Sequence, residues 1–278
     1  MPRFSGKVVI VTGSSSGIGR ATAFLFAKRG AQVTITGRDA TKLEETRQAI
    51  LKICVPPENV NVVVADVTSE AGQDAIIGST IKKFGKINIL INNAGAAIPD
   101  KTGAGGVSQN ISVYDANLKL NIRSVVELTQ KATPYLASTK GEIVNVSSVA
   151  AGPRATPDFN YYSLAKAALD QYTRNCAISL IEQGIRVNSV SPGVTSTGFS
   201  SAAGMPQELA DQFATLMAQS KTAIPAGFVA QPRDIAESII FLADRRLSSY
   251  IIGHHLIVDG GATLVMGYYA QDVGKLLK

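Results

Sequence analysis

Tyr162 and Lys166 stand four residues apart in Tyr162-Ser163-Leu164-Ala165-Lys166, a spacing that puts both side chains on one face of a helix, a turn apart. An ammonium beside a phenol favours the phenolate. The pair therefore predicts a tyrosine drawn down from about 10 toward the range where an acid/base catalyst works. Tyr161 has Ala165 at the same distance and lacks that partner. A hydroxyl from Ser148, which closes the preceding apolar run, would hydrogen-bond the same substrate oxygen. Far upstream, Val8-Val9-Ile10-Val11 runs into glycines at positions 13, 17 and 19, and an apolar-periodic segment begins at Ile18. That order reads as buried strand, tight turn and helix. Such a turn aims several backbone N–H groups and the positive end of a helix dipole at one point, which suits a pyrophosphate.

Both groups need a frame, and the chain repeats one phrase to build it: apolar strand, turn, amphipathic helix. The strands are read at 8–11, 32–36, 60–65, 87–91, 142–146, 185–190 and 256–258. Helices are read between them over 40–52, to Phe84 from a cap at Thr68 or Ser69, over 114–136, 162–182 and 231–242. Asp39 is a natural N-cap, and Gly30 and Gly85 natural terminators. Regular alternation with fully apolar strands implies parallel strands joined by right-handed crossovers and covered by helices on both faces. The expected fold is a three-layer, doubly wound parallel α/β sheet of about seven strands, a Rossmann fold. No linker composition coincides with a fresh pattern, so residues 1–278 read as one domain. Ligands of such sheets lie beyond the carboxyl ends of the strands. The residues there are small, polar or turn-forming: Thr12-Gly13, Gly37-Arg38, Asp66-Val67, Asn92 to Gly95, Ser147-Ser148 and Pro192-Gly193.

Composition excludes several other classes. With 45% apolar and 17% charged residues the chain is ordinary globular protein. No apolar run is long enough to span a bilayer. The net charge of +6 is scattered, without the basic blocks of a nucleic-acid binder. Cys54 and Cys176 lie far apart with no Cys-x-x-Cys pair, which predicts reduced thiols and a cytoplasmic protein. His254-His255 is no metal pair, because adjacent strand residues point to opposite faces and no third ligand follows.

Taken together, the motifs resemble the short-chain dehydrogenase/reductase family over nearly the whole chain. The matching residues are Thr12-Gly13-Ser14-Ser15-Ser16-Gly17-Ile18-Gly19, Asp66, Asn92-Asn93-Ala94-Gly95, Asn121, Ser148, Tyr162 with Lys166, and Asn188 with Pro192-Gly193. The resemblance implies hydride exchange between a nicotinamide cofactor and a carbonyl or secondary alcohol. Tyr162 would give or take the proton and Ser148 would hold the developing oxyanion. Lys166 would bind the nicotinamide ribose, and Asn121 would complete the tetrad. It also implies a cofactor seat of Gly13, Ser15, Ser16, Gly17, Ile18, Gly19, Arg38, Asp66, Val67, Asn93, Ala94, Gly95, Tyr162, Lys166, Pro192, Gly193, Thr195 and Thr197, and a homo-oligomer, tetramer or dimer. Two choices rest on counting. Ser148 lies fourteen residues before Tyr162 where the family has thirteen, which leaves Ser147 as the fallback. Asn117 competes with Asn121. Thr195 stands where an aliphatic residue is common.

The second strand ends Thr36-Gly37-Arg38-Asp39. An acidic side chain there would take the ribose 2′-hydroxyl of NAD, whereas arginine suits the extra phosphate of NADP, so NADP(H) is favoured over NAD(H). Residues 194–230 break the rhythm and read as a substrate lid with a helix over 206–220. With the loop at 99–106 and the C-terminal tail, this segment would choose the small-molecule substrate: a ketone, steroid, retinoid, acyl carbonyl or sugar. The alternative is a catalytically silent dinucleotide sensor or scaffold of the same fold.

Overall fold

The computed structural model describes residues 2–265, and the C-terminal tail at 266–278 lies outside the described residues. Seven strands form one parallel sheet: β1 (Val8–Val11), β2 (Gln32–Gly37), β3 (Val60–Val64), β4 (Ile89–Asn92), β5 (Glu142–Val146), β6 (Arg186–Pro192) and β7 (His255–Val258). Their order is β3-β2-β1-β4-β5-β6-β7, so the winding reverses between β1 and β4. At that point the two neighbouring strands send their loops to opposite sides and leave a crevice.

The helices are α1 (Gly17–Lys28), α2 (Ala40–Leu51), α3 (Glu70–Phe84), α4 (Ile111–Leu118), α5 (Ser124–Thr139), α6 (Asn160–Ile181), α7 (Phe199–Ala202), α8 (Gln207–Gln219), α9 (Pro232–Ala243) and α10 (Arg245–Ser248). Alternate strand residues feed two cores. Val9, Val11, Val33, Ile35, Ile91, Val146 and Val190 pack under α1, α2 and α9. Ile10, Leu90, Ile143 and Val187 pack under α3, α5 and α6. The expected caps form: Asp39 accepts from Lys42 N, Ser69 accepts from Gly72 N, and Gly85 ends α3 at φ +75°.

The long helix expected at 114–136 is a correction. It begins at Ile111, ends at Thr139 and is interrupted by a π turn over Lys119–Arg123. A single 3.6-residue period carried through 114–136 misses the interruption, in which the π turn adds one residue and shifts the phase of α5 against α4. π turns recur at functional positions, and this one carries Asn121. The helix expected over 206–220 forms as α8, and residues 194–230 hold further structure in α7 and a bridge from Thr195 to Ala230. Of the two histidines, only His255 lies in β7.

Candidate active site

The glycine turn is built by close approach. Gly13 and Gly17 have φ of +62° and +53°, a region that favours glycine, and a Cβ on Gly19 would lie 2.3 Å from the Gly13 carbonyl oxygen. Thr12 ties this turn to the end of β4, its hydroxyl accepting the N–H groups of Asn93 and Ala94 at 2.9 and 3.0 Å. Asn93 Nδ2 returns bonds to the carbonyls of Thr12 and Gly13. Arg20, which the motif did not flag, clamps the turn from behind. Its guanidinium donates to Ser15 O at 2.6 Å and to Thr46 Oγ1 at 2.9 Å and pairs with Glu45. Its charge is thereby spent on the fold. The turn is thus a cradle in which a Cβ has no room, the shape a pyrophosphate requires.

At the end of β2, Gly37 lies against Ser15: a Cβ at position 37 would stand 3.2 Å from Ser15 Oγ. Arg38 is exposed beside it and forms no ion pair among the described residues. Asp66 accepts the N–H and hydroxyl of Thr68, both at 2.8 Å. Burial pushes the Asp66 carboxyl up, but Thr68 and the cations of Arg38 and Lys119 outweigh it and hold the group below its ordinary value. Val67 is buried next to it. Ser16 occupies the N-cap of α1, and Ile18 packs into the first core.

On the other side of the crevice, Gly95 draws two groups together. A Cβ there would lie 2.7 Å from Asn121 Oδ1 and 3.2 Å from Lys166 Nζ. Asn121 is fully buried and bonds the backbone of Ala96 through both ends of its amide. Asn117 instead holds Ile98, one turn away, so Asn121 is the member of that pair beside Lys166. Ser148 also separates from its neighbour. Its hydroxyl meets the Tyr162 phenol and accepts from Ala150 N, whereas Ser147 points to the opposite face, toward Lys166 O and Asp170. Tyr161 turns away to Tyr114 and Gln109 O.

The phenol departs from the sequence expectation. Burial pushes Tyr162 up to about 12, with the Ser148 hydrogen bond acting the other way. Its ring lies 5.4 Å from Phe199 of the lid and 6.4 Å from Phe159, centroid to centroid, and is 8% exposed. The expectation of a lowered value weighed the ammonium and not the aromatic cover. Lys166 Nζ is 5.6 Å from the ring centroid and donates to Val146 O at 2.8 Å. Burial takes Lys166 down to about 8, with Asp170 opposing.

Gly193 passes against Asp259, where a Cβ would stand 2.7 Å from Asp259 Cβ, and this contact joins the Pro192 turn to the end of β7. Thr195 Oγ1 bonds back to Gly193 O. Thr197 lies over the glycine turn, its Cγ2 3.2 Å from where a Gly17 Cβ would be. The lid thus touches both the nucleotide cradle and the tyrosine. Among the described residues no group of three or more His, Cys, Asp or Glu could hold a metal, and no helix is long and apolar enough to cross a membrane.

Known proteins are similar to this chain over nearly its whole length. A family profile described as enoyl-(acyl carrier protein) reductase matches residues 13–263. The 3-oxoacyl-(acyl-carrier-protein) reductase of Thermotoga maritima is 34% identical, the match covering 94% of this chain and all of that one. A short-chain dehydrogenase/reductase of unknown function from Caenorhabditis elegans, solved with cofactor, is 60% identical with a TM-score of 0.96, covering 98% of this chain and 100% of that chain. A glucose dehydrogenase of the same animal in its apo form is also 60% identical, with a TM-score of 0.82 and coverage of 95% and 100%. Proteins of this kind bind a nicotinamide dinucleotide and act on alcohols or carbonyls. From its glycine cradle, its β1/β4 crevice and the match over residues 13–263, the chain belongs to the short-chain dehydrogenase/reductase family of oxidoreductases.

Proposed function

We propose that this protein is an NADP(H)-dependent oxidoreductase that interconverts a carbonyl and a secondary alcohol, with Tyr162 as general acid/base. The observation that carries the reading is the convergence of Asn121 and Lys166 on Gly95, with the Lys166 ammonium 5.6 Å from the ring of Tyr162 and Ser148 beside its phenol. When bound, the dinucleotide supplies or removes the hydride. The cradle from Gly13 to Gly19 would hold its pyrophosphate, and Asp66, Val67 and the Asn93–Gly95 turn would line its path. Pro192, Gly193, Thr195 and Thr197 would close over its far end.

The chain's own part is to hold an oxygen and move a proton. Ser148 donates to the substrate oxygen and stabilises charge developing there. Tyr162, protonated throughout the physiological range, gives its proton from Oη to that oxygen in reduction and must lose it first in oxidation. Lys166, charged below about 8, faces the phenol and stabilises it as the proton leaves. Phe199 and Phe159 exclude water from the exchange. This cover also favours an apolar flank on the substrate carbon.

The cofactor preference is supported by the end of β2. Ser15 fills the place beside Gly37 where an acidic side chain would need room, and Arg38 is free to meet a 2′-phosphate. Charge-assisted bonds of this kind contribute about 1.5–3 kcal/mol. Arg38→Ala should therefore raise KM for NADPH by roughly ten- to a hundredfold and leave KM for NADH nearly unchanged; equal changes would remove the assignment. The test of the whole reading is turnover of NADPH and NADH against ketones, aldehydes, sugars including glucose, and acyl thioesters. Tyr162→Phe should lower kcat by at least about a hundredfold. Tight NADPH binding without turnover across the panel would favour the sensor. A homo-oligomer belongs to the same reading, supported by exposed Leu247, Tyr250, Ile252 and Ile257 at and beside the outermost strand β7.

A further inference from the structure

Tyr162, Lys166, Asp170 and Arg174 follow one another at four-residue steps along α6. Phenol, ammonium, carboxylate and guanidinium thus form one stripe of the helix. Polar residues from three strands stand beside it: Ser147 after β5, Ser189 within β6 and His255 at the start of β7. Lys166 is 3% exposed, and its ammonium makes one hydrogen bond among the described residues, to the neutral Val146 carbonyl. A buried cation with so little compensation is costly unless an anion stands near. Asp170 is the carboxylate that acts on it.

Asp170 is itself held from two sides. The Ser147 hydroxyl, which donates to Lys166 O at 3.5 Å, also pulls the Asp170 carboxyl down, and Oδ1, buried without a hydrogen-bond partner, lies 3.4 Å from His255 Nδ1. The Arg174 guanidinium meets His255 Nε2 at 2.7 Å. Arginine only donates, so Nε2 accepts, and a neutral imidazole carries its proton on Nδ1. That proton faces Ser189 Oγ at 2.5 Å and the Asp170 carboxylate. The charged and titratable groups facing the stripe are therefore Tyr162, Lys166 and Arg174 from α6 and His255 from β7, with His254 acting weakly on His255.

We propose that Asp170 is a positioning residue for the reaction: held by Ser147, His255 and Arg174, its carboxylate keeps Lys166 charged in a dry site and so sets the alkaline edge of activity. The proposal rests on the roles given above to Tyr162 and Lys166. Burial raises the Asp170 carboxyl against the pull of Ser147, His255, Arg174 and Lys166, and it lowers the His255 imidazole against the pull of Asp170. Removing the carboxylate takes away the one opposing influence on Lys166. Lys166 would then lose its proton at lower pH, and the fall in activity would begin earlier.

The test reads Lys166 directly as well as through turnover. In the full-length protein labelled with ¹³C at lysine Cε, the Lys166 resonance is assigned with Lys166→Arg and titrated from about pH 6 to 11. In Asp170→Asn the midpoint should fall by about one unit, the alkaline limb of kcat/KM should move by the same amount, and Asp170→Glu should recover most of both. A folded Asp170→Asn protein with an unmoved Lys166 midpoint overturns the proposal, whatever happens to its rate. Asp170→Ser serves where the asparagine variant does not fold. If neither neutral variant folds, the wild-type midpoint decides: a value near 8 supports a maintained charge, and one below about 7 overturns it. Turnover that survives Tyr162→Phe would remove the underlying reading of the tyrosine and leave the Lys166 midpoint to answer for Asp170 alone.

Discussion

At the scale of single residues, the balance at Tyr162 is set by water exclusion. A phenol raised to about 12 stays protonated at neutral pH, so its proton is in place for reduction, though held more tightly than in a free phenol, and must be lost before oxidation. Reduction should hold level from about pH 6 to 7.5 and fall as Lys166 deprotonates near 8. Oxidation should rise with pH in the same interval, because the phenol must first lose its proton. Initial rates in both directions across that range check this, and parallel profiles would contradict it. Gly95 is a second residue-scale point, since its missing Cβ is the space shared by Asn121 and Lys166. Gly95→Ala should cost roughly a hundredfold in kcat, the usual penalty for displacing a catalytic group by about an ångström. Its melting temperature should fall as well, because the added Cβ would push fully buried Asn121 off its bonds to Ala96.

At the scale of elements, the π turn between α4 and α5 places an asparagine where a regular helix would leave it out of register. Asn121 bonds Asn117 O at 3.0 Å and Ala96 O at 2.9 Å, and accepts Ala96 N at 3.2 Å. Asn121→Ala would strand the Ala96 groups and should destabilise the protein by about 1–3 kcal/mol, measured by denaturant titration, and lower turnover. Asn117→Ala should cost similar stability with a smaller effect on turnover, since Asn117 holds Ile98 and not the backbone beside Lys166. The lid is the other element that matters. Phe199 of α7 packs on Tyr162, and Thr197 packs on the glycine turn, so one short segment touches both.

Over the whole molecule, the chemistry sits at the carboxyl ends of the strands and the stabilising ion pairs at the amino ends. Arg186, 2% exposed, pairs with Glu142 at 2.7 Å and donates to the carbonyls of Leu242, Ser248 and Ile251, tying β5 and β6 to α9 and α10. Arg245 reaches the same carboxylate at 2.6 Å. Arg186→Met should cost about 3–5 kcal/mol, because it leaves buried carbonyls and a carboxylate short of a partner. Thermal unfolding would read this loss, and kcat of the surviving folded enzyme should be nearly unchanged because the substitution lies at the far end of the sheet.

Much of this protein was legible in the chain alone. The strand–helix alternation, the glycine turn, the caps at Asp39 and Ser69 and the Tyr162–Lys166 spacing are decided within a few residues by φ preference, periodicity and local hydrogen bonding. The choices between neighbours were not: Ser148 over Ser147 beside the phenol, and Asn121 over Asn117 beside Lys166, depend on which side chain meets an element more than ten residues away. The direction of the Tyr162 shift was read with the wrong sign for the same reason. Spacing along a helix reports the nearest charge, but the cost of removing water sums over Phe159, Phe199 and the strand ends that the fold brings around the ring. Asp170 shows both sides: its steps of four from Lys166 and to Arg174 are plain in the sequence, while Ser147 and His255 become its surroundings only when the sheet packs against α6.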